Sequence, residues 1–310
     1  MELRVYSAPE VHAALPWIAL ARTLEAAFVA GHTEAPLRHA HRLADDGTLL
    51  LMPAWSDTAL GVKVVTVMPA AAAHGAGTVQ ASYLLLDRAT GVPRALIDGE
   101  VLTLRRTAAV SALAARRLAR PGATRLLLVG AGRLAPWMAR AHIALQPALR
   151  EVRVWARRSE AAAATAAALR AEGIEAQSAR ELEAEVRAAD IVCCATTSTV
   201  PLLRGAWLAP GTHLDLVGGF RPDMREADDA AIARARVVVD TRAGALAEAG
   251  DLVQAIGRGV ITASHVVADL AELLAGRAVG RCSDDEVTLF KSVGSALADL
   301  ATAQLVAGAP

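Results

Sequence analysis

The apolar run Leu126-Leu127-Leu128-Val129 passes directly into Gly130-Ala131-Gly132-Arg133-Leu134-Ala135, so a glycine-rich turn joins a strand-like segment to a helical one. Few folds use that junction. Gly130 permits the tight turn, Gly132 lets the backbone approach a pyrophosphate, and the small Ala135 allows close packing of helix on strand, with the phosphates over the helix N-terminus. The spacing alone also suits a purely structural glycine turn; the strand before it and the pattern after it favour a dinucleotide. Gly130, Ala131, Gly132, Arg133 and Leu134 are therefore candidate cofactor-binding residues.

From Thr124 onward short apolar runs alternate with alanine-rich stretches. Strands are expected at Arg125 to Val129, Val152 to Trp155, Ile191 to Ala195, His213 to Val217 and Val237 to Val239. Helices are expected at Leu134 to Leu145, Glu160 to Ala171 and Asp228 to Ala235. The fold class this predicts is α/β, a Rossmann-type doubly wound parallel sheet. Before Thr124 the texture is α+β, with strands at Thr48 to Leu51, Val62 to Val67 and Gln80 to Leu86 and turns at Pro69 to Gly77 and Asp87 to Pro93. A helix from Thr103 to Ala119 leads to Pro121-Gly122, the expected domain boundary. The final segment, Asp284 to Val306, reads as one helix packing back on the first domain. The domains are thus 1–120 plus 286–310, and 121–285.

Lys plus Arg and Asp plus Glu both number 32, so no global field exists to hold a nucleic acid or an anionic membrane. A small-molecule partner is expected. No apolar stretch approaches the roughly 18 residues of a membrane helix, and the segment Met1 to Tyr6 lacks the pattern of a signal peptide; a cytoplasmic protein is expected. Cys193, Cys194 and Cys282 suggest neither a disulfide framework nor a zinc site. His39 and His41 share a strand face without a third ligand, and His142, His213 and His265 read as packing or capping residues, so no metal is expected.

The second strand of the nucleotide domain ends at Trp155-Ala156-Arg157-Arg158-Ser159, where NAD-binding enzymes carry an acid for the adenosine ribose. No carboxylate stands there. Arg157, Arg158 and Ser159 could instead hold a 2′-phosphate, which favours NADPH and leaves NADH open; solvated arginines at a helix start are the alternative.

Three stretches carry a family resemblance: Gly61-Val62-Lys63-Val64-Val65-Thr66, Leu102 to Ala112 with its Arg106-Thr107-Ala108-Ala109, and Glu248-Ala249-Gly250-Asp251-Leu252. Over nearly the whole chain the sequence resembles the ornithine cyclodeaminase/mu-crystallin family. That resemblance implies a Rossmann domain inserted into an α+β domain for substrate binding and dimerisation. It assigns Arg38, Lys63 and Arg106 to the substrate α-carboxylate, with Lys63 and Arg106 catalytic. A lysine inside an apolar strand is suspicious in its own right, because an unpaired ammonium is costly to bury. Thr78, Thr107, Thr196, Thr197, Val217, Gly218, Ser292 and Val293 match positions that touch the cofactor, although strand-end threonines also cap helices.

Two departures from the cyclodeaminase pattern narrow the substrate. Phe220 follows Val217-Gly218-Gly219 where those enzymes place an aspartate, and Leu50 precedes Leu51-Met52-Pro53 where they place a glutamate. A ligand with a distal amine would meet hydrocarbon. Leu50, Met52 and Phe220 suit a ring of methylenes, as in the cyclic imines reduced by the ketimine reductases of the family. The expected activity is NADPH-dependent reduction of Δ1-pyrroline-2-carboxylate or Δ1-piperideine-2-carboxylate to L-proline or L-pipecolate, by a homodimer. Cyclodeamination, amino-acid dehydrogenation and non-catalytic NADPH-regulated binding are the rival readings.

Overall fold

Small and apolar residues alternate with a period of two through Ala59-Leu60-Gly61-Val62-Lys63-Val64-Val65. In the computed structural model, which describes residues 3–44, 46–74 and 77–308, this stretch is a strand with one face buried. It belongs to a six-stranded sheet of β1 (Arg4–Tyr6), β2 (His39–Arg42), β3 (Thr48–Trp55), β4 (Ala59–Val67), β5 (Val79–Asp87) and β6 (Pro93–Asp98), in the order β1-β6-β5-β4-β3-β2. The β1–β6 pair is parallel and the other four pairs are antiparallel. Helices α1 (Ala8–Ala14) and α2 (Trp17–Ala30) follow β1, and α3 (Gly99–Leu118) follows β6. The C-terminal helix, α11 (Ala296–Ala307), lies on β3, β4 and β5 and against α2. Ser295 caps its start through Leu297 N at 3.2 Å, and Gly308, at φ 62°, ends it.

The second sheet has eight strands, all in parallel pairs: β7 (Arg125–Val129), β8 (Glu151–Trp155), β9 (Ala176–Ser178), β10 (Ile191–Cys194), β11 (His213–Leu216), β12 (Arg236–Val239), β13 (Val266–Asp269) and β14 (Thr288–Lys291). Their order is β13-β12-β14-β11-β10-β7-β8-β9. Helices α4 (Ala135–Leu145), α5 (Ser159–Ala171), α6 (Leu182–Ala188), α7 (Asp229–Arg234), α8 (Arg242–Glu248), α9 (Gly250–Gly257) and α10 (Leu270–Leu274) connect them. Every residue of β10, β11 and β14 is buried, as strands covered on both faces must be. The chain leaves β7 toward β8 and β9 and then returns to the other side of β7 for β10, which puts the topological switch point between β7 and β10.

By compactness the chain divides into residues up to Thr107 with those from Ser295 onward, and residues Ala108–Gly294. This differs from a division at 121 and 286. The single helix expected over Asp284 to Val306 is replaced by β14, a break at Gly294 with φ 90°, and α11. The acids at 284–286 imitate a helix start, but Val287-Thr288-Leu289-Phe290 is β-branched and aromatic and fills an interior slot between β11 and β12. Helix α3 starts at Gly99, ahead of the expected Thr103, because Asp98 Oδ1 accepts from Val101 N at 2.8 Å. Within the expected turn at Pro69 to Gly77, Pro69–His74 is a 3-10 helix, and residues 75 and 76 lie outside the described residues. Met1 and Glu2, read for a signal peptide, lie outside them too. Among the described residues no single helix is long and apolar enough to cross a membrane.

Candidate active site

Lys63 shares strand parity with Gly61 and Val65, so β4 turns it toward the buried face of the first sheet. Met52 on β3 and Tyr83 on β5 stand directly opposite it. Two helices complete the arrangement: Lys63 Nζ lies 2.7 Å from Asp299 Oδ2 on α11, and Arg106 Nε on α3 donates to Asp299 Oδ1 at 2.9 Å. Lys63 is 2% exposed, Arg106 6% and Asp299 0%. Two buried cations outnumber one buried carboxylate, so an anionic ligand is the natural complement of the cluster. The neighbouring Arg105 points elsewhere. It donates to Leu15 O, and its guanidinium lies over the Trp17 ring, 3.9 Å from the centroid.

Burial pushes the Lys63 ammonium down to about 8; the charge of Asp299 opposes that fall, while Arg106 and Arg38 add to it. Burial acts upward on the Asp299 carboxyl, but the charges of Arg106 and Lys63 outweigh it and hold the group below the usual carboxylate range. Arg38 is half-buried just ahead of β2, close enough for its charge to act on Lys63. Met52 is buried, and Leu50, two residues back on the same face of β3, is half-buried opposite Val65. Lys63, Arg106, Arg38 and the hydrocarbon of Met52 are thus gathered in one unit of the chain.

The second unit assembles the glycine turn. Gly130 has φ 112°, and a Cβ there would stand 2.6 Å from Ala195 O, so both backbone conformation and the close approach of the β10 end require glycine. Gly132 is different. Its φ is not in the positive range, and a Cβ on it would meet no atom of the described residues within 4 Å, so their packing does not demand glycine there. Free access to the backbone is the property that remains, and a pyrophosphate uses it. Leu134 precedes α4 without a side-chain cap, and Ala135 is buried against the sheet. These features fit a bound dinucleotide.

Beyond the switch point, Thr196 follows β10, Val217 and Gly218 follow β11, and Ser292 and Val293 follow β14, at neighbouring strand ends. Thr197 is exposed, whereas Val217, Ser292 and Val293 are buried. Arg157, Arg158 and Ser159 are exposed where β8 gives way to α5, with no carboxylate among them. Phe220, 40% exposed, offers no acid after Gly219. Thr78 and Thr107 belong to the other unit; Thr78 is exposed beside β5 and Thr107 is buried in α3.

Two acids lie beneath these strand ends, and the sequence alone marks a role for neither. Glu226 Oε1 accepts from Thr196 N at 2.7 Å and Thr196 Oγ1 at 2.9 Å, and its Oε2 accepts from Gly218 N at 2.7 Å. Asp251 Oδ1 in turn accepts from Glu226 N at 2.8 Å and Ala227 N at 3.0 Å, while its Oδ2 lies 3.2 Å from Lys291 Nζ. Burial pushes the Glu226 carboxyl up to about 7, opposed by Lys291 and reinforced by Asp251. The sequence alone marks no role for Asp299 either. The one signal available was an aspartate in the otherwise apolar Ala296-Leu297-Ala298-Asp299-Leu300-Ala301, where a buried charge must find a partner.

His142, Cys193 and Asp215 also converge, with ligand atoms within 4.8 Å of one another, a grouping the histidine and cysteine spacings did not reveal. Asp215 Oδ1 accepts from Ser111 Oγ at 3.0 Å and Oδ2 lies 3.3 Å from His142 Nε2, while burial pushes the Cys193 thiol far up and keeps its proton. Hydrogen bonds therefore account for this grouping as a polar element of the core.

A parallel doubly wound sheet with a glycine turn at its switch point, joined to a unit that buries a lysine and an arginine on one carboxylate, defines a Rossmann-type protein built to bind a dinucleotide and an anion. The model of the ornithine cyclodeaminase/mu-crystallin family matches residues 1–309, and the chain belongs to that family. It is 43% identical over 282 residues to the Δ1-pyrroline-2-carboxylate reductase of Paracoccus denitrificans, covering 89% of each chain. Its fold superposes with a TM-score of 0.94 on the Thermococcus litoralis Δ1-pyrroline-2-carboxylate reductase in complex with NADH and L-proline, at 33% identity over 99% of this chain and 97% of that one. An archaeal alanine dehydrogenase dimer with bound NAD gives a TM-score of 0.93 at 30% identity, covering 99% and 96%.

Proposed function

We propose that this protein is an NADPH-dependent reductase of cyclic ketimines, converting Δ1-pyrroline-2-carboxylate, Δ1-piperideine-2-carboxylate or both to L-proline and L-pipecolate. The observation that carries the proposal is the buried Lys63–Asp299–Arg106 cluster set beside Met52. Its two cations suit an α-carboxylate, and Met52 sets hydrocarbon beside Lys63 for a ring of methylenes. The reductases of Paracoccus denitrificans and Thermococcus litoralis are similar along almost the whole chain and support the same substrate class.

In this reading Arg106 and Arg38 hold the carboxylate, because a planar guanidinium suits bidentate binding. Lys63 binds the imine nitrogen. Asp299 keeps the Lys63 ammonium charged at neutral pH, so the nitrogen faces a donor and the imine carbon becomes the better hydride acceptor. Bound NADPH supplies that hydride. Arg157 and Arg158, at the position where an acid would favour NADH, support the phosphorylated cofactor. Neither Leu50 nor Phe220 carries an acid that could pair with the distal ammonium of ornithine.

A homodimer is also part of the reading. Pro53, Val62, Leu84, Leu96 and Val5 pair successively across β3, β4, β5, β6 and β1, on the face of the sheet opposite Lys63. Val5 is 62% exposed and Leu96 37%, so this apolar row suits a self-complementary contact with a second copy. Light scattering of the protein and of Val5→Glu checks it, a monomeric wild type counting against it.

Oxidation of NADPH and of NADH, followed with the five- and six-membered cyclic imines, tests the activity, with ornithine and NAD as the parallel assay. Imine-dependent oxidation faster with NADPH is expected. Ornithine turnover without imine reduction would replace the proposal by cyclodeamination, and NADPH binding without either reaction by a binding role.

A further inference from the structure

A dinucleotide bound across a switch point places one mononucleotide on each half of the sheet. The adenosine half belongs with the first turn and the end of the second strand, here Gly130 and Arg157, so the nicotinamide half belongs with the ends of β10 and β11. Those two ends are Thr196 and Gly218, and a single carboxylate, that of Glu226, joins them. This inference rests on the dinucleotide reading above.

We propose that Glu226 is a positioning residue for the nicotinamide half of the cofactor, clamping the β10 and β11 ends in the one arrangement that receives it. Three donors converge on its two oxygens, at 2.7, 2.9 and 2.7 Å. Two of them are backbone N–H groups that need an acceptor beneath the sheet edge. The contact is tight enough to dictate the sequence above it, since a Cβ on Gly218 would collide with Glu226 Oε1 and with Thr196 O. Asp251 fixes the clamp from behind by accepting from Glu226 N and Ala227 N, and Lys291 in β14 stands against Asp251. Glu226, Asp251 and Lys291 are all 0% exposed, so none of them reaches a ligand, and their effect is exerted through Thr196 and Gly218.

A fold-stabilising knot and a positioning clamp make different predictions for the two halves of the cofactor. Glu226→Gln keeps an oxygen for Thr196 but turns an amide N–H₂ toward Gly218 N–H, which breaks one charge-assisted bond without removing volume. Asp251→Asn keeps Oδ1 as an acceptor but puts an amide N–H₂ where Oδ2 faces Lys291, which removes the ion pair. Binding is read by fluorescence titration with NADPH and by calorimetry with adenosine 2′,5′-bisphosphate, which occupies the adenosine side alone; NADH and ADP form a second pair of probes.

Glu226→Gln should weaken NADPH by about ten-fold, the scale of one charge-assisted hydrogen bond, and leave the bisphosphate within about two-fold. Asp251→Asn should show the same asymmetry at smaller size. The proposal is overturned if a variant that binds the bisphosphate normally also binds NADPH normally. It is equally overturned if both probes weaken together in both variants, because the knot would then support the whole domain. Wild-type protein that binds neither probe pair would instead refute the dinucleotide reading itself.

Discussion

Asp299 Oδ2 lies 2.7 Å from Lys63 Nζ, both groups buried, and this ion pair opposes the desolvation that pushes the Lys63 ammonium down to about 8. If Lys63 must be charged to bind the imine nitrogen, activity falls as pH rises through about 8. Asp299→Asn removes the charge that opposes desolvation, so the alkaline limb of kcat/KM should move to lower pH. A limb at the same pH in Asp299→Asn would dissociate Lys63 from that limb.

Arg106 uses Nε for Asp299, which fixes the plane of its guanidinium. A lysine there retains charge and loses the fork. Arg106→Lys should therefore raise KM for the imine by about ten-fold or more with a smaller change in kcat, while Lys63→Ala should lower kcat/KM by about a hundred-fold or more. Steady-state kinetics separate the two, and undiminished imine reduction by Lys63→Ala would remove the lysine from the chemistry.

What could be read along the chain was what depends on near neighbours. The strand, turn and helix around Gly130 are specified within ten residues, and Arg125 to Val129 is β7 as expected. Strand β14 was hidden because four buried residues have no period to distinguish them, and their identity as a strand comes from β11 and β12 on either side. Asp299 and Arg106 are 193 positions apart, so no local pattern could show their contact. The acceptor role of Glu226 depends on Thr196 and Gly218 being brought above it by two separate strands, which no local pattern around residue 226 shows.

Arg157 and Arg158 are exposed, so replacing them costs the fold little. The double variant Arg157→Ala/Arg158→Ala should raise KM for NADPH by about ten-fold or more and leave KM for NADH nearly unchanged. Equal effects on both cofactors would show that the pair does not read the 2′-phosphate.

Phe220 is 40% exposed beyond Gly219 and carries no acceptor. Phe220→Asp should slow reduction of the six-membered imine and confer binding of ornithine, detectable as competitive inhibition or as turnover with NAD. A variant indifferent to ornithine and unchanged toward the imine would show that residue 220 does not face the substrate.

His213 supplies a test of stability. Burial pushes its imidazole down to about 3, with His142 and Arg281 acting in the same direction and Asp215 against them. Its Nδ1 lies 2.9 Å from Thr288 Oγ1, and Nε2 has no hydrogen-bond partner among the described residues. Between the ordinary value of 6.5 and about 3 the unfolded chain binds a proton that the folded chain refuses. Stability should therefore decline as pH falls through that window, by up to about 1.4 kcal/mol per pH unit from this one site. His213→Leu removes the proton competition, and Thr288 still donates to Leu118 O at 2.8 Å and accepts from Arg281 Nη2 at 3.1 Å. Urea unfolding between pH 7 and 4 should be flatter for His213→Leu by close to one proton's slope; parallel slopes would mean that His213 stays neutral in both states or charges in both.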